Sequence, residues 1–148
     1  MNVPKSSRSY SSVYSSDYRF DYRDSMLDSH SCWAAANNAA GQWMQMDLGS
    51  ARQVSGVITQ PRYGGSDVSQ AVKTFTVQYS SDGSNFETMP GTYSSAGGYN
   101  IKTTSTFLAP VTARYIRLVA VTWQHHVSLR AALEVIITPT AGEVTQFD

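Results

Sequence analysis

The chain has 148 residues with eleven basic and eleven acidic side chains, so its formal net charge is zero. That length predicts one domain, and the missing basic excess argues against a nucleic-acid partner and against simple attraction to anionic membranes. The single cysteine, Cys32, excludes an internal disulfide, and neither a secretory leader nor an apolar run of membrane-spanning length is visible; the protein reads as cytoplasmic, or as exported by a non-standard route to act at the cell surface.

Residues 1–9 read as a flexible tail. "DYRFDYRDS" (17–25) alternates both apolar and charged residues, which fits a loop with a short extended piece. "QWMQMDLG" (42–49) puts Met44, Met46 and Leu48 on one face and Trp43, Gln45 and Asp47 on the other, the period of a half-buried strand ended by Gly49. "QVSGVITQ" (53–60) is a second β-rich run, closed by Pro61. "RYGGSDVSQ" (62–70) is a loop by its glycine pair. "KTFTVQYS" (73–80) turns Phe75, Val77 and Tyr79 inward, and Asp82-Gly83 signals a hairpin returning through Phe86–Met89. "PGTYSSAGGYN" (90–100) is a loop carrying two tyrosines. "TSTFLAP" and "TARYIRLVAV" are further strands. "SLRAALEVIIT" fits both periods, and its run Val135-Ile136-Ile137-Thr138 favours a strand. Residues 139–148 form a tail or linker, leaving a domain at 10–138. Many short strands and no long helix predict an all-β antiparallel sandwich or barrel.

The candidate chemistry is that of binding. No strand-turn-helix nucleophile elbow is present, so an enzyme is not expected. Cys32 in "HSCWAAA" reads as a buried structural thiol. His125 and His126 are adjacent, so in an extended chain they point to opposite sides, and no zinc spacing joins them to His30. Asp47, Arg117 and Arg130 lie within strands, where a charge needs a partner; Asp47 with one of the two arginines is the expected pair. The segments 14–24, 60–68, 92–100 and 123–126 each set Tyr, Trp, His or Arg beside Gly, Ser or Asp. An aromatic face for the C–H side of a sugar and planar Arg with Asp, Asn or His for its hydroxyls can both be drawn from that composition.

"SCWAA", "GQWMQMDLGSARQVSGVITQPR", "VKTFTVQYSSDGSNF" and "PVTARYIRLVAVTWQHHVSLRAALEV" follow one another in an order that resembles the discoidin domain, also called the F5/8 type C domain. "TWQHHVSLR" is most similar to the amoebal discoidins, and the later "VTQ" resembles their linker to a second, lectin domain. The resemblance implies an eight-stranded antiparallel jelly-roll sandwich or distorted barrel of the galactose-binding-domain type, with binding loops at one end. It implies a non-catalytic, lectin-like module for galactose or N-acetylgalactosamine glycans serving cell adhesion, with oligomerisation through a further domain. The ligand would be held by Tyr14, Asp17, Arg19, Arg62, Tyr63, Trp123, His125 and His126. Trp123 would wall the rim from beneath, His126 matches the discoidin histidine, and His125 replaces a glycine. A structural calcium is also implied, with Asp28, Ser31 and Glu134 as its ligands, although "DSHSCW" lacks the usual glycine and threonine. The alternatives are a phosphatidylserine-membrane module, as in the clotting branch, and a protein-binding module. The disulfide that closes the clotting-branch domains has no counterpart here.

Overall fold

The computed structural model describes residues 1–15, 21–62, 70–95, 98 and 100–137. Eight strands form in chain order: β1 (Arg8–Tyr10), β2 (Trp33–Ala34), β3 (Trp43–Gln60), β4 (Ala71–Ser80), β5 (Glu87–Thr88), β6 (Tyr93–Ser94), β7 (Thr103–Gln124) and β8 (Ser128–Ile136). All pairings between them are antiparallel. The order along the sheet is β2-β8-β3-β7-β4-β5, with β1 on β3 and β6 on β4. This path stays open at β2 and β5, so the all-β sandwich holds and a closed barrel does not form. Among the described residues no helix is long and apolar enough to cross a membrane.

The two longest strands make the sandwich by serving both layers. The first part of β3 pairs Trp43–Asp47 with Val119–Tyr115 of β7 and carries β1 on its other side. The ladder then breaks between Asp47 and Arg52, where Gly49 takes a left-handed φ of +83°. Beyond the break, β3 pairs with the first part of β7 and with β8. One layer is therefore β1, β3, β7 and β4 with β5 and β6 at its edge. The other is β7, β3, β8 and β2. Met44, Met46, Phe75, Val77, Ile116, Leu118, Leu129 and Leu133 fill the space between them, all essentially inaccessible to water. A second register shift lies between Val54 and Gly56. A Cβ at Gly56 would stand 2.5 Å from the Ser105 carbonyl oxygen, so only glycine lets β7 approach there.

Strand β8 buries six residues in succession, Ser128 to Leu133. Leu129, Ala131 and Leu133 join the main core. On the other side the Arg130 guanidinium meets three separate stretches of chain, donating to the carbonyl oxygens of Pro61 (2.8 Å) and Ser29 (2.7 Å) and to Asn100 Oδ1 (2.5 Å). Burial on both faces erases the period of two, which is why this segment alone read ambiguously.

Three sequence expectations change. Residues 1–9 belong to the fold and are no tail: Val3 is wholly buried, Met1 N–H donates to the Leu133 carbonyl, and the buried Arg8 guanidinium donates to the carbonyls of Val3, Ser25 and Ala131. Asp47 pairs with Arg114 through two hydrogen bonds of 2.8 and 3.1 Å, not with Arg117 or Arg130. Arg117 faces Gln45 across the ladder and lies 3.9 Å from the ring centroids of both Trp43 and Phe86, while Arg130 sits in the other layer. Tyr93 leaves the expected binding loop to pack on Phe75 and Phe107, because β6 pairs with β4.

Candidate functional site

One pole of the sandwich is where β3 ends and β4 begins, and where β7 ends and β8 begins. Ala71 opens β4 directly opposite Gln124, the last residue of β7. Leaving β3, the chain is closed at the base of its loop by a hydrogen bond from Arg62 N–H to the Gln70 carbonyl (3.0 Å). The strand-end turn after β7 is held by Asn38: its Oδ1 accepts from Val127 N–H (2.9 Å) and its Nδ2 donates to the His125 carbonyl (3.4 Å). His125 there adopts a φ of +64°. That left-handed conformation is one glycine adopts freely and most other residues do not.

Tyr14 arrives from the N-terminal side and is fixed by donating its N–H to the Ala34 carbonyl at 2.8 Å. Its exposed ring meets Tyr22 edge-on at a centroid distance of 5.5 Å and His126 edge-on at 5.6 Å. Tyr22 carries the Arg62 guanidinium over its face, 5.4 Å from the ring centroid, within cation–π range. Arg62 Nη1 donates to Gln70 Oε1 (2.8 Å), and its Nη2 stands 3.5 Å from the Tyr22 hydroxyl. His126 Nε2 lies 2.9 Å from the Ala35 carbonyl, which can only accept. Nε2 therefore carries the proton, and in the neutral ring Nδ1 is the acceptor. Tyr14, Tyr22, Arg62, Gln70 and His126 thus form one connected group of aromatic faces, donors and an acceptor. Beneath it Tyr22, Cys32 and Ala34 are packed with Val13. Burial pushes the Cys32 thiol up to about 12, the state of a structural and unreactive thiol.

The structure therefore brings Tyr14, Arg62 and His126 together from three separate stretches of sequence. His125 lies in the same turn, exposed, with its backbone engaged by Asn38. Trp123 does not join them: it sits opposite Val72, half-buried against the core, and no ring contact ties it to the group among the described residues. Asp17, Arg19 and Tyr63 lie outside the described residues. Tyr22, Gln70 and Asn38 were not singled out from the sequence. Tyr22 stood in the charged alternation of "DYRFDYRDS", whereas Gln70 and Asn38 carried no local signal, since the partners of Gln70 are 8 and 58 residues away and those of Asn38 are 87 and 89.

The implied calcium ligands are not assembled around one ion as they stand here. Asp28 accepts from Lys102 Nζ (2.7 Å) and Gln60 Nε2 (3.2 Å), so an ammonium group already faces its carboxylate and holds it below the usual range. Gln60 pairs with Arg130 and Gly56 with Glu134, which sets Glu134 four ladder steps away, roughly 13 Å at the usual strand rise. The Ser31 hydroxyl is buried with no hydrogen-bond partner.

A family model described as the F5/8 type C domain matches residues 3–134. Lactadherin of Mus musculus is 36% identical over 110 residues, which is 70% of this chain and 23% of that protein. The chain thus spans about a quarter of the length of that curated relative. Native discoidin II of Dictyostelium discoideum superposes with a TM-score of 0.71 at 21% identity, covering 89% of this chain and 56% of the other. The family 32 CBM from C. perfringens NanJ, solved with galactose, superposes with a TM-score of 0.67 at 19% identity, covering 88% of this chain and 96% of the other. With its fold and the match over nearly its full described length, the chain belongs to the F5/8 type C, or discoidin, domain family.

Proposed function

We propose that the pole formed by Tyr14, Tyr22, Arg62, Gln70 and His126 is a binding rim for galactose-type sugars, galactose or N-acetylgalactosamine, and that the domain acts as a non-catalytic, lectin-like adhesion module. The observation that carries this reading is the convergence of the group: residues 14, 22, 62 and 126 meet through ring contacts of 5.4 to 5.6 Å. The rim offers what a pyranose needs. Tyr14 presents an exposed aromatic surface for C–H groups, Arg62 is a donor, and His126 Nδ1 is an acceptor. The galactose complex of a structural neighbour supports the choice of sugar. A shallow rim of this kind binds one sugar weakly, and adhesion then rests on several copies engaging at once.

The lipid reading draws on Ile101, 59% exposed beside Lys102. Lys102, however, is engaged by Asp28, and the group around Tyr14 is polar. Passage over immobilised galactose, and separately mixing with phosphatidylserine vesicles, distinguishes the two. Retention released by free galactose is the expected result. Sedimentation with vesicles that sugar does not reverse, together with no retention on galactose, would overturn the reading in favour of lipid.

A further inference from the structure

We infer that the side-chain amide of Gln70 is a ligand-contacting donor of the rim, and that it selects an acceptor oxygen on the sugar. The inference rests on the galactose reading of the same pole and adds a specificity-determining residue to it. An arginine has only donors, so the atom of Gln70 that faces Arg62 Nη1 at 2.8 Å must be Oε1. The Ser128 hydroxyl points at that same oxygen from 3.4 Å. Oε1 thus has two donors on it, and the amide cannot turn over without setting its NH2 group against the guanidinium. Nε2 is consequently held on the far side, and among the described residues it has no hydrogen-bond partner.

The backbone fixes where this donor stands. The Gln70 carbonyl accepts the Arg62 N–H at 3.0 Å, tying both residues at the loop base. The next residue, Ala71, is paired with Gln124 at the edge of the turn that carries His126. Gln70 therefore stands between the Arg62–Tyr22 pair and that turn, and it is half-buried rather than solvated along its length. A pair of N–H donors held in one orientation, unpartnered, beside an aromatic surface matches an oxygen that must accept: a ring hydroxyl whose own proton goes to another partner, or the carbonyl of an N-acetyl group.

The test separates donation from mere support of Arg62. In the whole chain, the side-chain 15N–1H pair of Gln70, assigned by its loss in Gln70→Glu, is followed during titration with galactose and with N-acetylgalactosamine. A saturable shift of that pair, on the same curve as the backbone amides of Tyr14 and Arg62, is expected with at least one of the two sugars. Gln70→Glu keeps an acceptor facing Arg62 but sets a carboxylate oxygen where the NH2 group was. It is expected to fold with an unchanged melting temperature and to weaken binding at least fivefold. A Gln70 amide that does not shift while the Tyr14 and Arg62 amides do, or a Gln70→Glu variant weakened less than fivefold, overturns the inference and leaves the site reading standing. No shift anywhere in the protein with either sugar overturns both.

Discussion

Two neighbouring histidines show how much a single backbone angle decides. His125 takes a φ of +64° and is exposed, whereas His126 turns inward, bonds Ala35 and meets the Tyr14 ring edge. For most L-residues that φ carries a penalty of about 1 kcal/mol, which glycine avoids at a comparable cost in chain entropy. His125→Gly is therefore expected to leave the melting temperature unchanged or slightly raised and galactose affinity within twofold. His126→Ala is expected to lower affinity at least tenfold; thermal melts and sugar titrations of the two variants read the contrast. Arg62 bears more of the site. Arg62→Ala removes a guanidinium stacked on Tyr22 and bonded to Gln70, a loss of about 1–2 kcal/mol in stability and a few degrees in melting temperature. Retention on galactose is expected to disappear at a temperature where the variant is still folded, and normal retention would contradict the role given to it.

At the scale of elements, the rim depends on what holds its loops from below. Strand β8 supplies Arg130, fully buried, whose acceptors among the described residues include groups of residues 29, 61 and 100. Arg130→Met fills similar volume but takes the guanidinium from the Pro61 and Ser29 carbonyls, while Asn100 Oδ1 keeps the Gln60 amide, and a loss of about 3 kcal/mol in urea unfolding is expected. The thiol of Cys32 next to β2 reports on the same packing. Its folded value is raised to about 12 by burial, against 9.0 ordinarily, so the native protein holds a proton that the unfolded chain releases. Stability from this group is fully present below pH 9 and declines as pH rises from 9 toward 12, on the order of 1 kcal/mol per unit. Urea midpoints at pH 8 and pH 10 should fall further for the parent chain than for Cys32→Ala; equal falls would contradict the burial. These elements also show what the sequence could disclose. Alternation in 42–49 and 73–80 gave the inward faces because each strand has one wet side. In 128–136, where both sides are covered, it left two periods open and the β-branched run favoured the strand that forms; for residues 1–9 it gave no signal, since anchors such as Leu133 and Ala131 lie 132 and 123 residues away. Of the site, Tyr14, Arg62 and His126 were legible as residue types in loops matching the family motifs. Gln70 and Asn38 were not, because their value comes only from the partners the fold delivers.

In the molecule as a whole the proposed rim occupies one end of an open two-layer sandwich, and the opposite end takes no part in the proposed binding. The two layers are joined by β3 and β7, so the ends of β3, β4, β7 and β8 are fixed relative to one another. The opposite end provides an internal control. There Asp82 accepts from the N–H groups of Ser84 and Asn85 in the turn after β4, and a cavity of about 240 Å³ lies among Tyr79, Asn85, Phe86 and Thr112. A backbone amide map recorded across a galactose titration reads both ends at once. Saturable shifts confined to Tyr14, Tyr22, Ala35, Arg62, Gln70 and the 124–127 turn are expected. Shifts confined instead to residues 79–87 and 112 would contradict the proposed rim.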